Sequence, residues 1–149
     1  HGRAGHRPFM PTLNLSVHKS AVRAAGLMDT ELPRGEDVDW TIRLARAGHP
    51  PYFEPSARVC HRHPRTSPGS MWRHWYVSGP WMVGLRQRHP QVFGAPAWFY
   101  RGPAMLALSP LIAAHATIRL YRGNAPGRRH WHTLAALYAT KLAWCICDS

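Results

Sequence analysis

One stretch of the chain carries the clearest helical pattern. Gly35 and Gly48 flank it, and no proline or glycine interrupts residues 36–47. Carboxylates crowd its first turn, where the positive end of a helix dipole stabilises negative charge, and a glycine is a common helix stop. Apolar side chains recur on one face, at Val38, Ile42 and Ala45. The pattern predicts a helix over residues 36–47, with Arg43 and Arg46 on another face.

Shorter elements are expected on either side of this helix. Residues 12–17 have the composition of a short strand or extended segment, and Lys19–Ala25 has helical spacing. Gly26 follows that helix in a position that suits a left-handed C-terminal cap. Beyond residue 50, the sequence predicts a strand centred on residues 57–60.

The second half of the chain is predicted to be mostly helical. Residues 71–88 form a helix interrupted at Gly79 and Pro80, in this interpretation. Residues 104–118 are an apolar run broken at Ser109 and Pro110, and residues 133–146 are a second apolar helix. A spanning helix needs about 20 apolar residues. The pattern therefore fits an interfacial hairpin as well as it fits a membrane span. The alternative, which the composition favours less, is that both segments are core helices of a soluble domain.

The charge balance favours anionic partners. The chain has 19 Lys and Arg against 7 Asp and Glu, a formal net charge of +12. Phosphates, nucleic acid and an anionic membrane face all fit such a surplus. The three cysteines, Cys60, Cys145 and Cys147, are too few for a disulfide framework and fit a reducing compartment.

Two interpretations compete for the acidic helix start. A carboxylate at a loop-to-helix junction can be aimed into a cleft as a general base, which would be Asp37. The structural alternative is N-terminal capping and compensation of the helix dipole. Asp37 and Asp39 also spell a DxD pattern, but in a helix their side chains point about 200° apart. We therefore do not assign that pattern to a metal-nucleotide site.

Two further groups could bind ligands. His61 and His63 follow the predicted strand and could offer a metal ligand, although such histidines are more often ordinary loop residues. A second zone interleaves aromatic and basic residues that could stack on sugars or bases, sit at a membrane interface, or pack on the domain. It comprises Trp72, Arg73, His74, Trp75, Tyr76 and Trp81.

Taken together, these segments resemble the C-terminal half of bacterial family-2 glycosyltransferases, which have the A-type, Rossmann-like fold. Gly35-Glu36-Asp37-Val38-Asp39, with Arg43 and Gly48 downstream, is similar to the family's Glu-Asp motif. The other matching segments are residues 11–17, the turn Gly26-Leu27-Met28-Asp29, residues 52–55 and residues 57–61. The resemblance covers residues 11–93. It implies an α/β fold, namely a partial A-type domain over 1–94 followed by an apolar, helical, membrane-associated tail over 95–149.

The resemblance also implies residue roles. Asp37 would be the catalytic base that deprotonates the acceptor hydroxyl in an inverting transfer, and Glu36 would orient it. Asn14 would line the acceptor site, and His61 would face either the diphosphate and its Mg²⁺ or Mn²⁺, or the acceptor pocket. Three further residues are expected to bind substrate, namely Arg43, Trp72 and Trp75.

The departures from the family pattern shape the expected function. The turn at Leu27 and Met28 differs from the family's Gly-Gly-Phe-Asp, and the Gln-x-x-Arg-Trp motif of processive synthases is absent, which favours transfer of a single sugar. The sequence has no nucleotide-binding unit and no loop DxD, and it begins at His1 without Met. A fragment or processed piece of a hexosyltransferase-like enzyme is expected, inactive alone and completed by an N-terminal half that binds the nucleotide-sugar donor.

The expected setting is the cytoplasmic face of the plasma membrane, in cell-envelope or exopolysaccharide synthesis on a glycan or lipid-linked acceptor. Trp98, Phe99 and Tyr100 beside Arg101 have the composition of an interfacial anchor. Two alternatives from other classes remain. One is a non-catalytic, membrane-associated interaction module, and the other is a basic nucleic-acid-binding domain. No recognised nucleic-acid-binding motif is present, and the acidic helix start would repel phosphate.

Overall fold

The computed structural model describes residues 3–60, 67–94, 102–123 and 127–146. The chain divides into two compact units, His1–Arg62 and His63–Ser149. Strands occur in the first unit, and in its described residues the second unit is helical. The functional division predicted at residue 94 stays a prediction. The Trp-rich segment and the apolar helices lie within the same compact unit.

The N-terminal unit combines two α-helices with one small sheet. Strands β1 and β2 pair in antiparallel fashion, with Gly5 opposite Phe53 and His6 opposite Tyr52. A hydrogen bond from Arg7 N to Pro51 O, at 2.9 Å, extends this pairing by one residue. The elements in chain order are β1 Gly5–His6, a 3-10 helix Thr12–Asn14, α1 Lys19–Ala25, α2 Glu36–Arg46 and β2 Tyr52–Phe53.

The predicted strand over residues 57–60 is wrong. The Ala57 amide donates to the Glu54 carbonyl at 3.1 Å, and the Ala57 carbonyl accepts from Asn14 Nδ2 at 3.2 Å. Both backbone groups of Ala57 are therefore used in a turn and a side-chain contact instead of a sheet ladder. Residues 12–17 likewise begin as the 3-10 helix and become extended at Leu15. The structure shows helices with one two-stranded sheet, and the A-type arrangement stays a proposal.

Both predicted helices of this unit are confirmed. Helix α1 has the predicted bounds, and α2 ends one residue before the predicted 47. Gly26 follows α1 with φ of 75° and ψ of −177°, so the predicted left-handed helical cap is wrong, although side-chain-bearing residues rarely adopt this positive φ. The two helices share a core of Ala21, Trp40 and Leu44, against which Leu15, Val17, Val22 and Ala25 pack.

The buried side of α2 is wider than the predicted apolar stripe. Ile42 is buried as expected, whereas Val38 and Ala45 are only partly buried. Trp40, Thr41 and the other buried residues extend around the helix because α2 is held by α1 and also by the segment around Met10. A count of apolar residues alone underestimates how much of the α2 surface is buried, because some of the buried side chains are polar and bind backbone groups.

Thr41 anchors the segment before the 3-10 helix, and its replacement by valine should destabilise the unit. The fully buried Thr41 hydroxyl accepts from Met10 N at 3.1 Å and donates to the Met10 carbonyl at 2.9 Å. Thr41→Val keeps the shape but leaves both Met10 groups unbonded, so we expect a loss of about 2 kcal/mol in unfolding free energy. Hydrogen exchange of the unit's amides measures it. Thr41→Ser should restore most of the loss, and equal stability of both variants would contradict this role.

The C-terminal unit is built around its last helix. Helix α6 packs against both α3 and α5. The described elements of the C-terminal unit are α3 Pro68–Arg88, α4 Pro90–Phe93, α5 Gly102–Gly123, a 3-10 helix Gly127–Thr133 and α6 Leu134–Ile146. The helices predicted over residues 71–88, 104–118 and 133–146 are therefore confirmed in place, with longer bounds for the first two.

The predicted breaks at the two prolines are wrong, because α3 continues through Pro80 and α5 through Pro110. The residue before Pro80 is Gly79, which has no Cβ to clash with the proline ring, so the usual restriction on that residue is relaxed. Ser109 precedes Pro110, and its hydroxyl donates to the Leu106 carbonyl at 2.8 Å, which binds one backbone acceptor near the proline. Proline costs each helix a hydrogen bond, but the helix need not end there.

Candidate functional site

The start of α2 positions the predicted catalytic carboxylate. Gly35 precedes the helix in the left-handed conformation, with φ of 81° and ψ of 6°, and turns the chain sharply into it. Asp37 is half-buried in the first turn. Its Oδ1 accepts from the Val38 amide at 2.8 Å, and its Oδ2 accepts from the Thr12 amide at 3.2 Å. The carboxylate is therefore fixed by one contact within its own helix and one contact 25 residues away.

The contact with Thr12 brings two predicted site residues into one neighbourhood. Thr12 opens the 3-10 helix that ends at Asn14. Asn14 is exposed, and its Nδ2 donates to the Ala57 carbonyl. Because Asp37 and Thr41 lie four residues apart on one face of α2, they hold the backbone of residues 10–12 across that face. Asn14 follows directly from that anchored segment.

Asp37 can serve both interpretations of the acidic helix start. Its bond to the Val38 amide satisfies one of the free N–H groups of the first turn, as the capping interpretation expects. An ionised carboxylate has about four lone-pair sites, and the two backbone bonds occupy two of them. The group thus keeps acceptor capacity for a substrate hydroxyl. Glu36, the neighbouring carboxylate, is also half-buried.

Arg43 makes a set of contacts that links α2 to the end of α1. Its Nε lies 2.8 Å from Asp39 Oδ2, and its two terminal nitrogens donate to the carbonyls of Ala25 (2.6 Å) and Leu27 (2.8 Å). The carbonyl between them, that of Gly26, accepts from Trp40 Nε1 at 2.7 Å. Three successive carbonyls at the negative end of α1 are thus bound by α2 side chains. These contacts assign Arg43 a positioning role, and its substrate contact stays a prediction.

The metal site predicted at His61 falls outside the described residues. Within residues 3–60, 67–94, 102–123 and 127–146, no group of three or more His, Cys, Asp or Glu could hold a metal ion. Mg²⁺ or Mn²⁺ stays an implication of the family resemblance.

Trp72 and Trp75 lie in the C-terminal unit, on α3. Trp72 is exposed and lines a cleft of about 660 Å³ between the start of α3 and α6. The ring of Trp75 carries the Lys141 ammonium 4.3 Å from its centroid. Asp37 and Asn14 belong to the other compact unit, and the substrate-binding roles of the two tryptophans stay predictions.

A cationic and aromatic contact between α3 and α6 was not predicted from the sequence. Besides Lys141 on Trp75, Arg86 lies over two rings, with its guanidinium carbon 4.5 Å from the centroid of Trp144 and 5.4 Å from that of Phe93. Burial lowers the pKa of the Lys141 ammonium from its usual range; the charge of Cys145 opposes this shift, and the charge of Arg86 adds to it. These cations stabilise helix packing by their contacts with aromatic faces.

The residues that sequence reasoning missed in the N-terminal unit are Trp40 and Thr41. Both bind backbone groups of other segments, and both lie on the predicted helix. The spacing of Thr41 four residues after Asp37 was the available signal, since such residues share a helix face. Nothing local in the sequence indicates that Trp40 binds the Gly26 carbonyl, 14 residues away.

Comparisons with protein-family models, curated proteins and solved structures found no match to this chain.

Proposed function

We propose that this chain is the acceptor-side portion of a family-2 glycosyltransferase with Asp37 as its catalytic base. The observation that carries the proposal is the geometry of that carboxylate, which is held at the start of α2 by the Thr12 amide and retains free lone pairs. The segment bearing Asn14, the predicted acceptor-site residue, is attached to it. The sequence resemblance to the Glu-Asp motif supplies the reaction class, and an A-type fold for the complete enzyme goes with it.

In the proposed reaction, Asp37 accepts the proton of the acceptor hydroxyl as that oxygen attacks the anomeric carbon of the donor sugar. A new carbon–oxygen bond forms, the bond to the nucleotide diphosphate breaks, and the configuration inverts. Glu36 would orient Asp37. Arg43 would keep α2 in register with α1, so that the base stays in place. A positioned base of this kind contributes typically about 10²–10⁴-fold to a rate.

The donor site belongs to the N-terminal half that the proposal requires. A nucleotide-sugar donor, a glycan or lipid-linked acceptor, and action at the cytoplasmic face of the plasma membrane are part of the same proposal. Mg²⁺ or Mn²⁺ would supply charge compensation for the leaving diphosphate when bound.

The chain by itself is expected to show no transfer. Incubation of residues 1–149 with nucleotide sugars, Mn²⁺ and a cell-envelope glycan acceptor should give no product above background, because the donor half of the site is lacking. The same assay on a longer polypeptide, which also includes the nucleotide-binding half, should give sugar transfer. Turnover by the 149-residue chain alone would contradict the division of the site.

A second candidate function is a membrane-associated interaction module without catalysis. The observation that favours it is helix α5. Its segment Pro103–Gly123 is long and apolar enough to cross a membrane, and 22% of its most apolar 18-residue stretch is buried within the protein. If the longer polypeptide has a complete donor site but no transferase activity, this second candidate function would be favoured over the first.

A further inference from the structure

Apart from Met105, helix α5 buries small side chains and leaves most of its large apolar ones exposed. The buried residues recur every four positions, at Met105, Ser109, Ala113 and Thr117. Helix α6, which packs on α5, buries Ala143 and Cys145. Small residues at a contact between helices let their backbones approach closely, a pattern enriched in membranes, where leucine gains nothing by turning inward.

The polar groups of the buried stripe are satisfied within the helix. The Ser109 hydroxyl donates to the Leu106 carbonyl at 2.8 Å, and the Thr117 hydroxyl donates to the Ala113 carbonyl at 2.7 Å. Neither needs water, which fits a helix that enters an apolar medium.

The outward surface of α5 is rich in branched apolar side chains. Leu111 is 70% exposed, and Leu106 and Ile118 are each 52% exposed. A helix in a water-soluble core would turn these residues inward. In this unit they are exposed, as is His115, which lies one turn after Leu111 on the same side of the helix. We call the exposed apolar side chains of α5 the leucine face. It comprises Leu106, Leu108, Leu111, Ile118 and Leu120.

Arginines are concentrated at one end of the leucine face. Arg119 and Arg122 are exposed at the end of α5, and Arg128 and Arg129 are exposed in the 3-10 helix that follows. Trp131, next to them, is 70% exposed. No Asp or Glu occurs between Glu54 and Asp148, so no carboxylate in that part of the sequence offsets this cluster.

We propose that the leucine face and this arginine cluster dock the C-terminal unit on an anionic phospholipid bilayer. The leucine face enters the acyl region, the four arginines lie at the level of the lipid phosphates, and Trp131 lies at the interface, where tryptophan is enriched. Charge complementarity selects anionic lipid over a neutral surface or a second copy of this chain, whose own arginine cluster would repel it. The inference stands on the C-terminal unit alone and does not depend on glycosyl transfer.

Vesicle flotation of the full chain tests the docking. At about 0.1 M salt, the chain should float with vesicles containing phosphatidylglycerol and bind pure phosphatidylcholine vesicles at least about tenfold more weakly. Near such a surface each arginine strengthens binding about fivefold. The quadruple variant R119Q/R122Q/R128Q/R129Q should therefore lose at least about tenfold in affinity for anionic vesicles. The assay contains no sugar donor, so its outcome is separate from that of the transfer assay.

Two matched controls distinguish specific docking from non-specific electrostatic attraction and from non-specific hydrophobic adsorption to the vesicles. The variant R3Q/R23Q/R46Q/R58Q removes four exposed arginines from the N-terminal unit and should bind nearly as the wild type does. L106S/L111S should abolish flotation, whereas L13S/L27S, at leucines of the N-terminal unit that are at least as exposed, should not. Equal effects of the two arginine variants would overturn the proposal. So would a lipid-free dimer that L106S/L111S dissociates, since the leucine face would then bind a second copy.

Discussion

Asp37→Asn is expected to lower kcat by about 10²–10⁴-fold in the enzyme that carries the nucleotide-binding half. That range is what a positioned general base typically contributes. An amide cannot take the proton of the acceptor hydroxyl, while donor binding in the other half is left in place. KM for the nucleotide sugar should therefore change little. Steady-state kinetics on the polypeptide that includes the nucleotide-binding half measure both kcat and KM.

The fold should survive this substitution, which makes the loss of activity interpretable. An asparagine oxygen can still accept from the Thr12 amide, so one of the two bonds of Asp37 is kept and the cost should be about 1 kcal/mol. The control is Glu54→Gln, which removes the same charge from an exposed residue of the same unit and should leave kcat unchanged. Wild-type kcat in Asp37→Asn would assign that carboxylate to capping alone.

The second large effect is expected at Arg43. Arg43→Met should lower the unfolding free energy of the N-terminal unit by about 3 kcal/mol. It removes the ion pair to Asp39, whose side chain is 6% exposed, and the bonds to the Ala25 and Leu27 carbonyls. Removing one partner from a buried charge pair is costly because the remaining charge has been withdrawn from water.

Hydrogen exchange of the amides of α1 and α2 measures this effect within one unit. It is preferable to a global melting curve, since two compact units can unfold in separate steps. Arg46→Met is the matched control, because Arg46 is exposed on the same helix and its loss should stay within about 0.5 kcal/mol. Equal loss of protection in both variants would show that the contacts of Arg43 do not hold α1 and α2 together.

The elements that could be predicted from the sequence are those with local signals. Lys19–Ala25 was predicted with its observed bounds because a glycine follows it directly. Helix α2 was predicted to within one residue because glycines flank it and carboxylates fill its first turn. The strand over 57–60 failed because the backbone of Ala57 is bound by Asn14 and Glu54, and the composition of that segment carries no trace of those contacts.

In the candidate site, too, the features with local sequence signals could be predicted and those that depend on distant segments could not. The position of Asp37 at a helix start could be predicted, since it follows from the helix itself. Its contact with Thr12 depends on how a distant segment crosses α2, and the three carbonyls held by Trp40 and Arg43 depend on the placement of α1. The predicted helix breaks at Pro80 and Pro110 were wrong for a related reason, because the general rule for proline takes no account of the preceding residue, which is Gly79 in α3 and Ser109 in α5.

The most direct measurement of the central claim is the coding sequence immediately upstream of the His1 codon, read in frame. The proposal predicts roughly a hundred further residues with strand–loop–helix units for a nucleotide and an Asp-x-Asp in a loop after a strand. Such a half would complete the donor site opposite Asp37. An in-frame stop codon directly upstream would contradict the glycosyltransferase proposal and place the membrane-associated module ahead of it.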